Sequence, residues 1–206
     1  MKLKPTQLLA VALLGPLPAF CQAQNFSADV VYAATSTSSA PSAAKAAPPQ
    51  PSKLYVSKDK MRLETRGVTG TVLLVNLEEN TAVALFPADK AYQPLNAAPS
   101  EYFRVHNAEE ACPDWQKAAE AKIVCDKVGH ATVDGRETVK YVNKSASTDG
   151  APSAVWIDPT LNFVVKWEAS NAGAELRNIK KEEPQSADLF VIPQDYDILR
   201  SRRVRR

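Results

Sequence analysis

Few side chains in this sequence could do chemistry, and its cysteines and histidines are the first to consider. The chain has three cysteines and two histidines. Cys112 and Cys125 are too far apart for a C-x-x-C redox motif, and no second Cys or His pair completes a zinc site. We therefore predict a structural disulfide between them, worth about 3 kcal/mol on the chain-entropy model. His130 is predicted to lie on the surface, whereas His106 is either a candidate base or a residue that helps to begin the helical segment after it.

The acidic residues do not form a recognisable catalytic pair. Adjacent acids occur at Glu78-Glu79, Glu109-Glu110 and Glu182-Glu183, and each pair falls in a predicted turn or at a helix start. Adjacent side chains point apart on a strand, which favours solvated charge over a catalytic dyad. No Gly-x-Ser-x-Gly elbow, phosphate-binding glycine loop or dinucleotide fingerprint is present. We predict a protein that is not an enzyme and that has no metal and no cofactor.

The first residues have the pattern of a secretory signal peptide. Lys2 and Lys4 precede an apolar run at 8–14, which is too short for a membrane anchor. Small residues predict cleavage after Ala23, so that residues 1–23 form the signal. Phe20 is not the small residue that a lipoprotein signal places before its cysteine. We expect a periplasmic or secreted protein, which is the setting in which disulfides persist.

Basic charge is concentrated at the other end of the sequence. Removal of Lys2 and Lys4 leaves equal numbers of basic and acidic residues, and 200–206 hold five arginines. The rest of the domain is then net acidic, which excludes nucleic acid as a partner. The basic tail at 200–206 is either a solvated terminus or a contact with anionic lipid at a membrane surface, at about 1 kcal/mol per arginine.

Most of the remaining sequence predicts strands separated by turns. Residues 33–52 are almost wholly Ala, Ser, Thr and Pro, which predicts a flexible loop between the first two strands, or a linker into a domain that starts at Lys53. The apolar segments 71–77 and 81–86 predict central strands, and Asp134-Gly135 predicts a type I′ hairpin. Turns at about ten-residue intervals indicate a mainly β, up-and-down antiparallel sheet with sandwich or barrel-like curvature.

One helical segment is predicted, at 108–122. Its residues are mostly good helix formers, with acids early and lysines late. Pro113 is expected to split it into two short pieces. The Cys112–Cys125 bridge would hold it against the neighbouring strand.

Several short runs resemble domains related to the periplasmic lipoprotein carrier LolA. They are GRETVKY at 135–141, VWID at 155–158, VKWE at 165–168, ELRNIK at 175–180 and DLFVIPQDY at 188–196. The likeness spans most of 53–196 and is nearest to uncharacterised members of this LolA/LppX-like superfamily. It implies that 24–199 form one curved antiparallel half-barrel, with a few short helices covering an apolar concave face. It further implies a non-enzymatic periplasmic carrier or sensor whose partner is a lipid or the acyl chain of a lipoprotein.

The hollow that this resemblance implies would be lined by one alternating face of each strand. The candidate lining residues are Met61 and Leu63, Val83 and Leu85, Val155 and Ile157, and Val165 and Trp167. The alternative is that they form an ordinary core packed at native density. In that case the protein is an envelope scaffold or interaction protein with a filled β core and no ligand. An empty apolar groove beneath the helix near Trp115 would distinguish the two.

Overall fold

A computed structural model of the chain describes residues 25–34, 51–66, 70–96, 102–118, 123–145, 153–170, 172–181 and 184–199. The predicted signal peptide at 1–23, the basic tail at 200–206 and most of the predicted loop at 33–52 lie outside these residues. In the part that is described, no helix is long and apolar enough to cross a membrane.

Twelve strands form one sheet. They are β1 (Phe26–Ala34), β2 (Ser52–Ser57), β3 (Lys60–Glu64), β4 (Val72–Asn76), β5 (Thr81–Phe86), β6 (Ala91–Leu95), β7 (Cys125–Val133), β8 (Arg136–Asn143), β9 (Ala154–Asp158), β10 (Phe163–Glu168), β11 (Ala172–Lys181) and β12 (Asp197–Ile198). Their order across the sheet is β12-β6-β5-β4-β3-β2-β1-β11-β10-β9-β8-β7, so the sheet is open. The predicted mainly β class is confirmed. One feature was not predicted, since β12 pairs with β6 in parallel.

The turns between strands follow the chemistry expected from their residues. Asp134 and Gly135 have φ values of 47° and 74°, which confirms the type I′ hairpin between β7 and β8. The turn between β4 and β5 ends at Asn80, which also has a positive φ. A 3-10 turn at Pro87–Asp89 joins β5 to β6.

Strand β1 joins the two halves of the sheet, because it pairs with β2 on one side and with β11 on the other. It extends through Ala33 and Ala34, and Ser52 already belongs to β2. The loop is therefore shorter at both ends than the predicted 33–52. Small residues such as Ala and Ser can extend the strands because ladder hydrogen bonds use only backbone atoms. Strands β4 and β5 have neighbours on both sides, but the middle of the sheet is formed by β1 and β2.

The helical segment is broken at a different place from the one predicted. A 3-10 turn covers Ala108–Glu110, and α1 runs from Cys112 to Ala118. Pro113 does not split the helix, because it lies in the first turn of α1, where proline removes no intrahelical hydrogen bond. Asn107 begins the 3-10 turn, and its side chain accepts a hydrogen bond from the Glu109 amide at 3.0 Å.

Contacts between distant strands show that the sheet bends. The Asn178 amide on β11 donates to Asp134, in the turn between β7 and β8, at 3.0 Å. The Arg104 guanidinium, beside the start of β10, lies 3.6 Å from Asp59, in the turn between β2 and β3. Register shifts in β7, β10 and β11 mark bulges, which bend strands and increase their twist.

The buried apolar residues form three clusters. The central cluster consists of Phe26, Ala28, Val30, Leu54, Val56, Met61, Val75, Leu77, Ala82, Val133, Ala154, Trp156, Leu161, Phe163, Val165, Ala174 and Leu176. The helix cluster consists of Val105, Ala108, Ala111, Trp115, Val139, Tyr141, Ile157 and Val164. The C-terminal cluster consists of Val72, Leu74 and Leu85, with Val83, Tyr92, Ile192 and Tyr196 packed against them.

Candidate apolar binding surfaces

The surface beneath α1 is filled by side chains. Trp115 is only 6% exposed, and its ring meets the Tyr141 ring edge-on with centroids 5.3 Å apart. Val139 and Ile157 are completely buried in the same cluster. The groove that would have marked a hollow near Trp115 is therefore occupied by the helix cluster itself.

The Tyr141 hydroxyl fixes the segment ahead of α1 to the sheet. It donates a hydrogen bond to the Ala108 carbonyl at 2.8 Å and accepts one from the Ala111 amide at 3.3 Å. Burial raises the pKa of Tyr141 above its usual range, so the hydroxyl stays protonated and can donate. These two bonds hold the segment ahead of α1 in place over β8.

The predicted disulfide is present. Cys112, the first residue of α1, is bonded to Cys125, the first residue of β7, with their Cα atoms 5.6 Å apart. That separation is ordinary for a disulfide. Together with Tyr141, the bridge attaches both the helix and the chain before it to the same edge of the sheet.

A different apolar surface lies on β4 and β5, where an irregular segment covers the sheet. Leu74 and Leu85 are buried under the segment at 184–199, whose Ile192 and Tyr196 pack against them. Beside this contact is a solvent-open cavity of about 200 Å³. It is lined by Lys60, Met61, Leu74, Val75, Asn76, Thr81, Val83, Phe190 and Ile192. We call 184–199 the cover segment.

Polar contacts help to hold the cover segment to the sheet. The Arg62 guanidinium donates to the Leu189 carbonyl at 2.8 Å. The Lys90 ammonium lies 2.9 Å from the Asp195 carboxylate, and the hydrogen bond between them lowers the pKa of Asp195 and raises that of Lys90. This ion pair is exposed and so adds little stability. The two residues of β12 also pair with β6.

Of the eight predicted lining residues, Met61 and Val83 line the cavity, and the eight are divided among the three clusters. Met61 and Val165 are in the central cluster, and Leu63 packs against it. Val83 and Leu85 are in the C-terminal cluster, while Val155 and Ile157 are in the helix cluster. Trp167 packs against both the central and the helix clusters.

Strand register places Met61 and Val83 in different rows of the sheet, although both line the cavity. Met61 pairs with Val75, and Val75 pairs with Ala82, so Val83 belongs to the neighbouring row with Leu74. Adjacent rows point to opposite faces of a sheet. Leu74, Phe190 and Ile192, which line the cavity, were not predicted. None of the three belongs to an alternating pair of apolar residues, which was the pattern used for the prediction. Phe190 and Ile192 also lie in a proline-containing segment that forms no long strand.

Both histidines and the buried acid Asp158 have polar partners in the structure. His106 and His130 are both exposed, as predicted for His130, and His106 Nδ1 lies 3.0 Å from Asp114. Asp158 is 1% exposed. Its burial would raise its pKa, but hydrogen bonds from Thr160 and Arg136 outweigh that effect and lower the pKa. No group of three potential metal ligands occurs among the residues that the structure describes.

Comparison with known proteins finds similarity in structure but not in sequence. The sequence matches no protein-family model and no curated protein. An uncharacterised conserved protein from Thermus thermophilus aligns over 87% of this chain and 92% of its own, with TM-score 0.52 and 11% identity. PNGF-II aligns over 86% of this chain but only 31% of its own, with TM-score 0.49 and 14% identity.

An outer membrane lipoprotein-sorting protein domain from Vibrio parahaemolyticus also matches, over 81% of this chain and 88% of its own, with TM-score 0.35 and 12% identity. At these identities the similarity concerns the fold alone.

Proposed function

We propose that this protein is an exported, non-enzymatic binding protein that takes up an apolar ligand, such as an acyl chain of a lipid or lipoprotein, as a carrier or sensor. The observation that carries the proposal is the apolar face of β4 and β5, which is closed by the irregular cover segment and not by a packed helix. The disulfide supports an oxidising compartment, either periplasmic or extracellular.

The size of the cavity limits how a ligand could enter. At about 200 Å³ it is smaller than the roughly 300–1,000 Å³ of typical ligand pockets. An acyl chain would therefore have to displace Phe190 and Ile192 from the sheet. The apolar area that those side chains release would be buried again by the ligand, at about 25 cal/mol per Å². The exchange is favoured by the weak attachment of the cover segment through Lys90 and Asp195.

Ligand binding can be tested on protein purified without detergent. Native mass spectrometry should detect a bound acyl species, and a fluorescent fatty acid should bind saturably. Val83→Phe fills the cavity and should weaken binding of that probe about tenfold or more. Val31→Phe is the matched control, because Val31 is a partly buried strand valine outside the three clusters.

A second variant tests the cover segment without adding bulk to the sheet. Arg62→Met removes the donor to the Leu189 carbonyl and should speed association of the same probe. Protein that carries no acyl species, and that binds the probe equally in the wild type, Val83→Phe and Arg62→Met forms, would reject the proposal.

The filled helix cluster favours one alternative, an envelope scaffold with no ligand. Its partner contacts would run through the basic tail at 200–206 and the predicted loop, with anionic lipid or another protein as partner. Deletion of 200–206 should then abolish membrane or partner capture. Unchanged capture by the shortened protein would exclude this role for the tail.

A further inference from the structure

Two lysines enclose one tryptophan on β8, β9 and β10. Lys140 and Lys166 are the register partners of Trp156 on the two neighbouring strands. Their ammonium groups lie 4.7 Å and 4.5 Å from the centroid of the Trp156 ring. The two ammonium groups are therefore no farther apart than the sum of these two distances.

These positive charges are only partly balanced by acids. The Lys166 ammonium lies 2.9 Å from Glu168, whose side chain is about half exposed. Glu175 is the register neighbour of Lys166 but pairs with Arg177 at 2.9 Å. Lys140 forms no ion pair within the described part of the chain. The indole attracts both cations through its quadrupole, but it carries no charge to neutralise them.

The partial burial of this group strengthens its attraction for an anion. Trp156 is 6% exposed and the Lys166 side chain 26% exposed, so both ammonium groups rest on an apolar surface. Charges in such a setting are screened less than those of fully solvated lysines. Each ammonium has three N–H donors, and the indole face accepts from them only weakly.

We propose that Lys140 and Lys166 form a binding site for a phosphate group. Lysine binds phosphate as a point charge, and a phosphate beside the indole is attracted by both ammonium groups. The phosphate comes either from a soluble compound or from the headgroup of an anionic lipid. The site lies on β8–β10, whereas the cavity lies on β3–β5, so this inference does not depend on the proposed function.

The test is calorimetric titration of the full protein with inorganic phosphate at neutral pH and low ionic strength. Lys140→Gln and Lys166→Gln should each weaken binding about tenfold, the effect of losing one charged hydrogen bond. Lys140→Arg keeps the charge and should retain binding. Lys117→Gln is the control, because it removes the same charge from an exposed position on α1.

Vesicles distinguish the two sources of phosphate. Binding to phosphatidylglycerol vesicles but not to phosphatidylcholine vesicles, lost in Lys140→Gln and Lys166→Gln, supports the site with a lipid headgroup as ligand. Saturable binding of inorganic phosphate alone, lost in the same variants, supports the site with a soluble ligand. The proposal is overturned if neither ligand binds saturably, or if Lys117→Gln weakens binding as much as the two variants in the site.

Discussion

Replacement of Tyr141 by phenylalanine tests whether its hydroxyl fixes the chain ahead of α1 to the sheet. Tyr141→Phe keeps the ring that packs against Trp115 but removes both hydrogen bonds to Ala108 and Ala111. Both backbone groups belong to completely buried residues, so they are left without a partner. A buried polar group that loses its partner costs about 1–3 kcal/mol.

We expect the free energy of unfolding to fall by about 2 kcal/mol, with a drop in Tm of about 4–8 °C for a chain of this size. Urea unfolding followed by circular dichroism, with the disulfide intact, measures the loss. Hydrogen exchange of the Ala111 amide should accelerate, because that amide loses its acceptor. Tyr55→Phe is the control, since Tyr55 has no side-chain hydrogen bond within the described residues. The reasoning is wrong if Tyr141→Phe changes stability by less than about 0.5 kcal/mol, the ordinary scatter of neutral substitutions, or leaves exchange at Ala111 unchanged.

Three further predictions concern the bridge, a buried acid and a turn. Replacing Cys112 and Cys125 by serine should lower the free energy of unfolding by about 3 kcal/mol, as measured by urea unfolding; equal stability of the reduced and oxidised proteins would contradict this. Asp158 has a pKa below its ordinary value of 3.8, so its stabilising effect should be complete above that pH and lost as pH falls further. Acid titration of Asp158→Asn, followed by circular dichroism, should therefore lack the part of the acid transition that Asp158 supplies, and an identical curve would refute the assignment. Gly135→Ala should cost about 1–2 kcal/mol because φ is positive there; no atom outside the turn lies within 4 Å of the added Cβ, so a larger loss in thermal melting would point to another cause.

The sequence allowed prediction of features that depend on neighbouring residues. The hairpin at Asp134 and Gly135 follows from the need for positive φ at two successive positions. The Cys112–Cys125 bridge follows from an even cysteine count once the predicted signal is removed. Both could be inferred because each depends on local chemistry or on a simple count.

Pairings between distant segments could not be inferred in this way. Nothing local to Val30 indicates that it pairs with Leu176, and the two residues of β12 are too few to show a period. The set of lining residues stays a prediction, because the sequence does not fix how the faces of different strands align. Alternation fixes which residues share a face within one strand, but a shift of one residue between strands exchanges the faces, and this placed Met61 and Val83 in adjacent rows.

Whether a hollow is empty depends on side-chain volumes in three dimensions. Trp115 was predicted to lie near the groove. The structure places its ring against Tyr141, so the ring itself fills the position of that groove. Phe190 and Ile192 were part of a motif that resembled a family, but their irregular backbone gave no periodic signal. Their place beside Leu74 and Val83 in the lining of the cavity becomes visible only when the cover segment is folded onto the sheet.

The position of β1 between β2 and β11 has a consequence for biosynthesis. A ribosome releases β1 before β2, yet its partner β11 is made only after β2 to β10. Until then one edge of β1 has no strand to pair with. Loop-closure entropy makes such late, long-range pairing slow. Nascent chains should therefore remain protease-sensitive and open to chaperone capture until the residues around Leu176 emerge.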